Sequence, residues 1–364
     1  MISCRAPGKL FIAGEYAVVE PGHLAVLTAV DRYATATVTG VSAGTATTLH
    51  SDLDGGVSLT LGRDGDRLVP ATPDATVPAA FAYVFAAASV LDRLRAERGI
   101  DSGAYTLTVS ADLGDADGRK YGLGSSAAVT VATVAALGRF HGLELTAMDR
   151  YRLAVLATIA VNPRASCGDV AVSTWGGWLA YGSPDRAVVA ATAAADGIDA
   201  ALRATWPGLS IRPLPTPTGL DLRVGWTGNP ASTPALVGAA SRTKGDRTVF
   251  NARSNECVTR LRTAIEADDS AGVGSEIDHA RELLLDLDAS AGLGIMTPRL
   301  RALCAAGAAV GAAAKPSGAG GGDCGIALVD RAHPAASTEL TDRWVAAGIR
   351  PLPLRTHPFE GETA

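Results

Sequence analysis

Gly122-Leu123-Gly124-Ser125-Ser126-Ala127-Ala128 leads from a glycine turn into residues 127–140, an alanine- and valine-rich stretch without interior proline. That stretch reads as a buried helix, with the Ser125-Ser126 pair as its cap. Two glycines let backbone amides approach a ligand, two hydroxyls are able to hold a phosphate or a cation, and the helix behind adds the positive end of its dipole. A capped turn would use one glycine and one serine; the doubling of both points to an anion cradle. The spelling GxxxxGK[ST] occurs nowhere, so the cradle is not a P-loop, and no HRD or DFG marks a protein kinase.

Working outward, lysine is scarce: only Lys9, Lys120, Lys244 and Lys315 among 32 basic residues, the rest being arginine. Lys9 ends Ala6-Pro7-Gly8-Lys9, Lys120 stands two residues before the cradle, Lys244 lies in Arg242-Thr243-Lys244-Gly245, and Lys315 opens a glycine-rich run ending Gly320-Gly321-Gly322-Asp323. A compact ammonium kept for glycine turns, where arginine serves elsewhere, suggests phosphate handling. Gly320 to Gly325 spells GxGxxG but precedes an apolar strand-like run, so it is no dinucleotide fingerprint. Asp169, in Ser166-Cys167-Gly168-Asp169-Val170, is the sharpest acid of the chain, and taken alone it reads as a helix cap.

The 364 residues, 47% hydrophobic, suffice for two domains with their own cores. A net charge of -5 with intermingled signs gives no basic face for nucleic acid. The five cysteines are far apart with no CxxC, as expected of reduced thiols, and the six histidines form no metal-ligand pair. No signal-peptide pattern opens the chain, and the alanine-rich stretches 79–91 and 303–314 are unsuited to a bilayer. No membrane association and a cytoplasmic location are expected.

Strands are predicted at 10–12, 26–30, 34–38, 105–109 and 178–181, and helices at 77–98 and 145–159. Pro207, Pro213, Pro215 and Pro217 mark a composition shift, which sets domains at 1–212 and 213–364. The second half reads as strands at 220–224 and 325–329 with helices at 254–266, 277–287 and 298–313, an α+β layer.

Three segments, Ala6 to Val19, Gly122 to Ala128 and Lys315 to Cys324, resemble the three signature motifs of the GHMP small-molecule kinases and together span nearly the whole chain. The resemblance extends to Arg119-Lys120-Tyr121, to Gly225-Trp226-Thr227-Gly228-Asn229-Pro230-Ala231-Ser232-Thr233 and to the Asp-Cys-Gly-Ile-Ala-Leu end of the third motif. It implies an α+β, two-domain fold, the first domain like domain 2 of ribosomal protein S5 and the second ferredoxin-like, with the site between them. It implies ATP and Mg²⁺, with 5-phosphomevalonate as acceptor and mevalonate as the near alternative. A decarboxylase of the same fold and a metabolite-binding regulator without catalysis are further readings. The chain departs from many relatives at Gly118, where they carry proline, and at Thr158, where some carry a metal-binding glutamate.

By the same resemblance, Lys9 and Asp169 are catalytic and stand beside the acceptor phosphate. Lys120, Gly122, Leu123, Gly124, Ser125, Ser126 and Ala127 hold the nucleotide, with Ser126 also meeting Mg²⁺. Lys9, Tyr16, Ser166, Trp226, Ser232, Ser317, Gly318 and Ala319 line the acceptor side. An acceptor that is already a phosphate calls for extra cations, for which Lys120, Arg242 and Lys244 are available. A monomer or homodimer is expected.

Overall fold

The computed structural model describes residues 1–42, 45–52, 56–65, 67–72, 75–101, 103–115, 117–229, 236–238, 240 and 247–360. Its first sheet is organised by one long strand. β1 (Ile2–Ala13) lies antiparallel along β2 (Leu24–Gly40), where the sequence suggested three short strands. The other edge of β2 is shared: residues 34–40 pair with β6 (Tyr105–Ala111) and 24–28 with β7 (Trp178–Gly182). Beyond β6 come β3 (Thr47–Ser51), β4 (Val57–Asp64) and β5 (Arg67–Pro70), and β8 (Ser210–Leu214) extends the sheet past β7. The ladder between β1 and β2 slips at Pro7/Gly8, a bulge that accommodates a proline without a donor N–H just before Lys9.

Helices α1 (Ala82–Glu97), α2 (Ser125–Phe140), α3 (Ala147–Val161) and α4 (Gly168–Trp175) pack together, with α2 and α4 lying on β1 and β2. α2 is buried almost all round, which its small side chains permit. α5 (Arg186–Ala195) and α6 (Ile198–Arg203) flank them.

The second sheet has the order β10 (Ala313–Pro316), β11 (Cys324–Asp330), β9 (Leu220–Trp226), β12 (Arg350–Leu352), all antiparallel. Numbered within the sheet this is 2-3-1-4, the ferredoxin-like arrangement of a split βαβ unit. Three helices, α7 (Thr248–Glu266), α8 (Ser270–Ala291) and α9 (Pro298–Ala309), fill the first crossover, and α10 (Pro334–Ala346) the second. The expected helix 298–313 ends early: Gly311 has φ 75°, and Ala313 already belongs to β10. The chain end returns to the first sheet, where the His357 N–H donates to Ala29 O at 3.0 Å.

A buried ion pair fastens the two halves. Lys315 Nζ, on β10, contacts the Glu15 carboxylate just after β1 and donates to Pro316 O at 2.6 Å; the Gly318 N–H also points at Glu15, at 3.3 Å. Lys315 has no exposure at all, and Glu15 is 4% exposed. This corrects the sequence reading of Lys315 as a lysine kept for phosphate: its charge is consumed inside the protein.

Lys315→Met should leave the Glu15 carboxylate buried without a cation and destabilise the protein by several kcal/mol, on the order of 3–5. Glu15→Gln added to it should recover most of the loss. Denaturant unfolding that is unchanged in Lys315→Met would contradict the fastening role.

Candidate active site

Gly122 and Gly124 have φ of 83° and 78°, so α2 begins abruptly at Ser125. Gly124 is the N-cap residue and no side chain caps the helix; the expected serine cap is absent, because both serines are already helical. Amide groups of a first turn have no partner within the helix. Here they open on a cleft of about 910 Å³ that Ser125 and Ser126 line. The glycines serve the rest of the protein as well as a ligand. A β-carbon at Gly122 would lie 2.5 Å from Asp323 Cγ, and one at Gly124 would lie 2.9 Å from Lys9 Cγ.

Lys9 crosses that gap. Its N–H donates to Leu123 O at 2.8 Å and its ammonium to Gly122 O at 2.8 Å, while the Phe11 ring centroid lies 5.6 Å from Nζ. Two of the three ammonium protons are left to face other partners. From the third segment, a β-carbon at Gly318 would come within 4.0 Å of Nζ. The residue is 8% exposed and lines the cleft.

Asp169 sits in the first turn of α4, behind Cys167, a non-glycine residue at φ 62°. It is therefore not the N-cap that the sequence allowed. Its Oδ1 accepts the Val170 N–H at 3.0 Å and its carboxyl lines the cleft. Burial pushes the Asp169 carboxyl above its ordinary value of 3.8, and the Lys9 charge pulls it partly back. Tyr83, on α1, feels the same site: burial, then the Asp169 charge, raise its phenol.

From the third segment, Gly318, Ala319 and Asp323 reach the cleft. Tyr16 joins them, its hydroxyl donating to Ala319 O at 2.5 Å. The room left by the glycines is taken by the chain itself, since a β-carbon would meet Ile295 O at 2.6 Å from Gly320 and Asn229 O at 2.2 Å from Gly322.

Of the residues singled out by sequence, Lys9, Tyr16, Lys120, Gly122, Leu123, Gly124, Ser125, Ser126, Ala127, Ser166, Asp169, Gly318 and Ala319 therefore share one cleft, with Lys120 exposed at its rim. Two do not line it. The Ser317 hydroxyl is committed to β1, accepting from Phe11 N at 2.9 Å and donating to Phe11 O at 3.0 Å. Trp226 is 3% exposed, set edge-on to Tyr121 and beneath the Arg119 guanidinium. Ser232, Arg242 and Lys244 lie outside the described residues. Gly118 sits at φ 77° in a turn closed by Asp115, which accepts from the Asp117 and Arg119 N–H groups, a geometry that proline cannot adopt.

Sequence reasoning passed over Tyr83, Asn162, Pro163, Arg164 and Asp323 as lining residues. Thr158 also lines the cleft, and its hydroxyl is without a hydrogen-bond partner. Among the described residues the one cluster of three metal-capable side chains, Cys257, Glu276 and His279, is elsewhere, and Arg260 occupies its carboxylate.

Residues 82–177 match the family model of the GHMP kinases N terminal domain, and 261–345 that of the GHMP kinases C terminal. The chain is 50% identical to the phosphomevalonate kinase of Streptomyces sp. (strain CL190) over 98% of its length and 97% of the relative's. It is 30% identical to the mevalonate kinase of Aeropyrum pernix, over 89% of this chain and 87% of that one. Streptococcus pneumoniae phosphomevalonate kinase, solved with phosphomevalonate and AMPPNP, superposes with a TM-score of 0.85 at 29% identity, covering 98% of this chain and 100% of the other.

A carboxyl whose pKa is raised on folding makes the folded state bind more protons than the unfolded one, so its contribution to stability falls as pH rises through that raised value. Asp169→Asn should accordingly melt above the wild type at neutral pH, the gap closing below the ordinary carboxyl value of 3.8. A variant that melts lower at neutral pH, or a gap independent of pH, would contradict this.

Proposed function

The chain belongs to the GHMP kinase family, and we propose that its cleft transfers the γ-phosphoryl group of ATP to the phosphate of 5-phosphomevalonate, giving 5-diphosphomevalonate and ADP for isoprenoid synthesis. The observation that carries this reading is the meeting of Lys9, Asp169 and the open start of α2 in one cleft. It occurs in a chain half identical, over nearly its full length, to a phosphomevalonate kinase.

The acceptor is a phosphate monoester whose second pKa is about 6, so at neutral pH its attacking oxygen has already lost its proton. A strong base is not required. The obstacle is repulsion between two polyanions, which positive groups fixed in advance reduce. The amides of the first turn of α2 and the hydroxyls of Ser125 and Ser126 take the β- and γ-phosphates. Lys9 lies between them and the acceptor, where its ammonium offsets the charge of both.

Asp169 holds the free protons of that ammonium toward the reacting oxygens and acts chiefly as an orienting group. As the acceptor oxygen bonds to the γ-phosphorus, the bond from that phosphorus to the bridging oxygen breaks and ADP leaves with the electron pair. Lys120 at the rim adds a further positive charge for the acceptor.

Mg²⁺ binds hard oxygen donors, commonly one or two from protein with the rest from phosphates and water. The described residues of the cleft fit that demand: they offer the exposed Ser126 hydroxyl, the unpartnered Thr158 hydroxyl and the Asp169 carboxylate, and no multi-ligand cage. Ser126 would hold the ion, which when bound would supply positive charge against the nucleotide phosphates.

Among the described residues no helix is long and apolar enough to cross a membrane. We place the enzyme in the cytoplasm, a reading supported by five cysteines that are all buried and unpaired. It works as a monomer or homodimer.

ADP release measured with ATP and Mg²⁺ should require 5-phosphomevalonate and be negligible with mevalonate, galactose or homoserine. Lys9→Met should lower kcat by about 10²–10³ and Asp169→Asn by about 10², both without loss of folding. Turnover with mevalonate alone would overturn the acceptor assignment.

A further inference from the structure

Two tyrosines outside the cleft hold the start of α4, the helix that carries Asp169. Tyr181 on β7 and Tyr151 on α3 have no exposure, and neither lines the cleft. The Tyr181 hydroxyl donates to Ser166 O at 2.6 Å and lies 3.0 Å from the Tyr151 hydroxyl. A phenol has one proton to give. Tyr181 gives its own to the carbonyl, so Tyr151 is the donor between the two rings. The outcome is a chain of two hydrogen bonds ending on the Ser166 carbonyl, an arrangement in which each bond polarises the next. The Ser183 hydroxyl donates to the same carbonyl at 3.2 Å. Burial lifts both phenols well above their ordinary range, so the chain stays neutral.

Ser166 directly precedes Cys167, which stands at φ 62° as the N-cap of α4. Gly168 follows it, and a β-carbon there would lie 3.1 Å from Tyr181 Cδ1. Tyr181 thus brackets the left-handed residue, holding the carbonyl before it by a hydrogen bond and packing its ring on the glycine after it. A left-handed non-glycine residue persists only where its surroundings over-determine it. Loosening either contact lets the turn relax, and Asp169, two residues on, moves with it.

The rest of α4 is held with equal care. The ring of Trp175, its last residue, has its centroid 5.3 Å from that of Tyr151. The Ser173 hydroxyl donates to Pro7 O at 2.8 Å, at the bulge two residues before Lys9. The helix is therefore in register with the strand that carries the ammonium.

We propose that Tyr181 is a positioning residue for the reaction: by fixing the Ser166 carbonyl and the Cys167 turn it sets the direction of the Asp169 carboxyl relative to Lys9, and Tyr151 reinforces it. The inference rests on the role given to Asp169 under the proposed function.

The test is a double-mutant cycle in steady-state turnover of ATP and 5-phosphomevalonate, at a temperature where melting curves show every variant folded. Tyr181→Phe keeps the ring and removes the hydroxyl. It should lower kcat about tenfold and leave the KM for ATP within about twofold of the wild type. In the Asp169→Asn background the same replacement should lower kcat by less than about twofold, because a group that acts only through Asp169 has nothing left to position. Tyr151→Phe should follow the same pattern with a smaller loss, since Tyr181 keeps its bond to Ser166. An unchanged kcat in Tyr181→Phe, or a loss of equal size in both backgrounds, would overturn the proposal. A wild-type rate in Asp169→Asn would instead overturn the role given to Asp169, and this inference with it.

Discussion

The ammonium of Lys9 is held where three distant parts of the chain come within reach of one another. It is anchored on the Gly122 carbonyl, the methylene stem behind it lies over Gly124, where no side chain would fit, and a β-carbon at Gly318 would fall 4.0 Å from it. The rest of the site depends on this placement. In the mechanism we propose, the open helix start behind Gly124 supplies amides for one anion and the carboxyl of Asp169, which lines the same cleft, helps to position the other. A bulge at Pro7/Gly8 puts Lys9 in register, and the buried pair of Glu15 with Lys315 keeps the third segment against the first.

Such a site is expensive to maintain. Among the described residues four that are not glycine have positive φ, and three of them, Tyr16, Cys167 and Asp323, are at or beside the cleft. Each left-handed position costs on the order of 1–3 kcal/mol and persists only where surrounding packing over-determines it. Tyr16 is fixed by its hydroxyl on Ala319 O and by Arg247 on its own carbonyl. Cys167 is fully buried beneath α4. The raised carboxyl of Asp169 belongs to the same pattern, since perturbed carboxyls cluster at functional sites.

The residues that were legible in sequence are those whose chemistry is local. Paired glycines before a helix and a lysine beside them announce themselves without partners, whereas Asp169 taken alone read as a helix cap and gained its role only from the motif resemblance. The second half was legible as an α+β layer through its periodic helices, and its ferredoxin-like arrangement only through the motif resemblance. What escaped depended on contacts between remote segments. Lys315 resembles Lys9 in its glycine-rich setting, and only the position of Glu15, 300 residues earlier, reveals it as internal. Trp226 and Ser317 carry motif spelling, yet one packs under Arg119 and the other is spent on Phe11. Strands β3 to β5 are short and polar on one face, too weakly patterned to stand out, and α4 was hidden because its N-cap is a strained cysteine in place of a serine or aspartate.

The central claim is that positive side chains and amide dipoles of three segments act on both anionic reactants in one cleft. A crystal structure of the ternary complex with a non-hydrolysable ATP analogue and 5-phosphomevalonate tests it most directly. The account predicts the β- and γ-phosphates on the amides of residues 124–127 and the acceptor phosphate within hydrogen-bond distance of Lys9 Nζ. Reactants lodged in separate cavities, or an acceptor phosphate remote from Lys9, would contradict it.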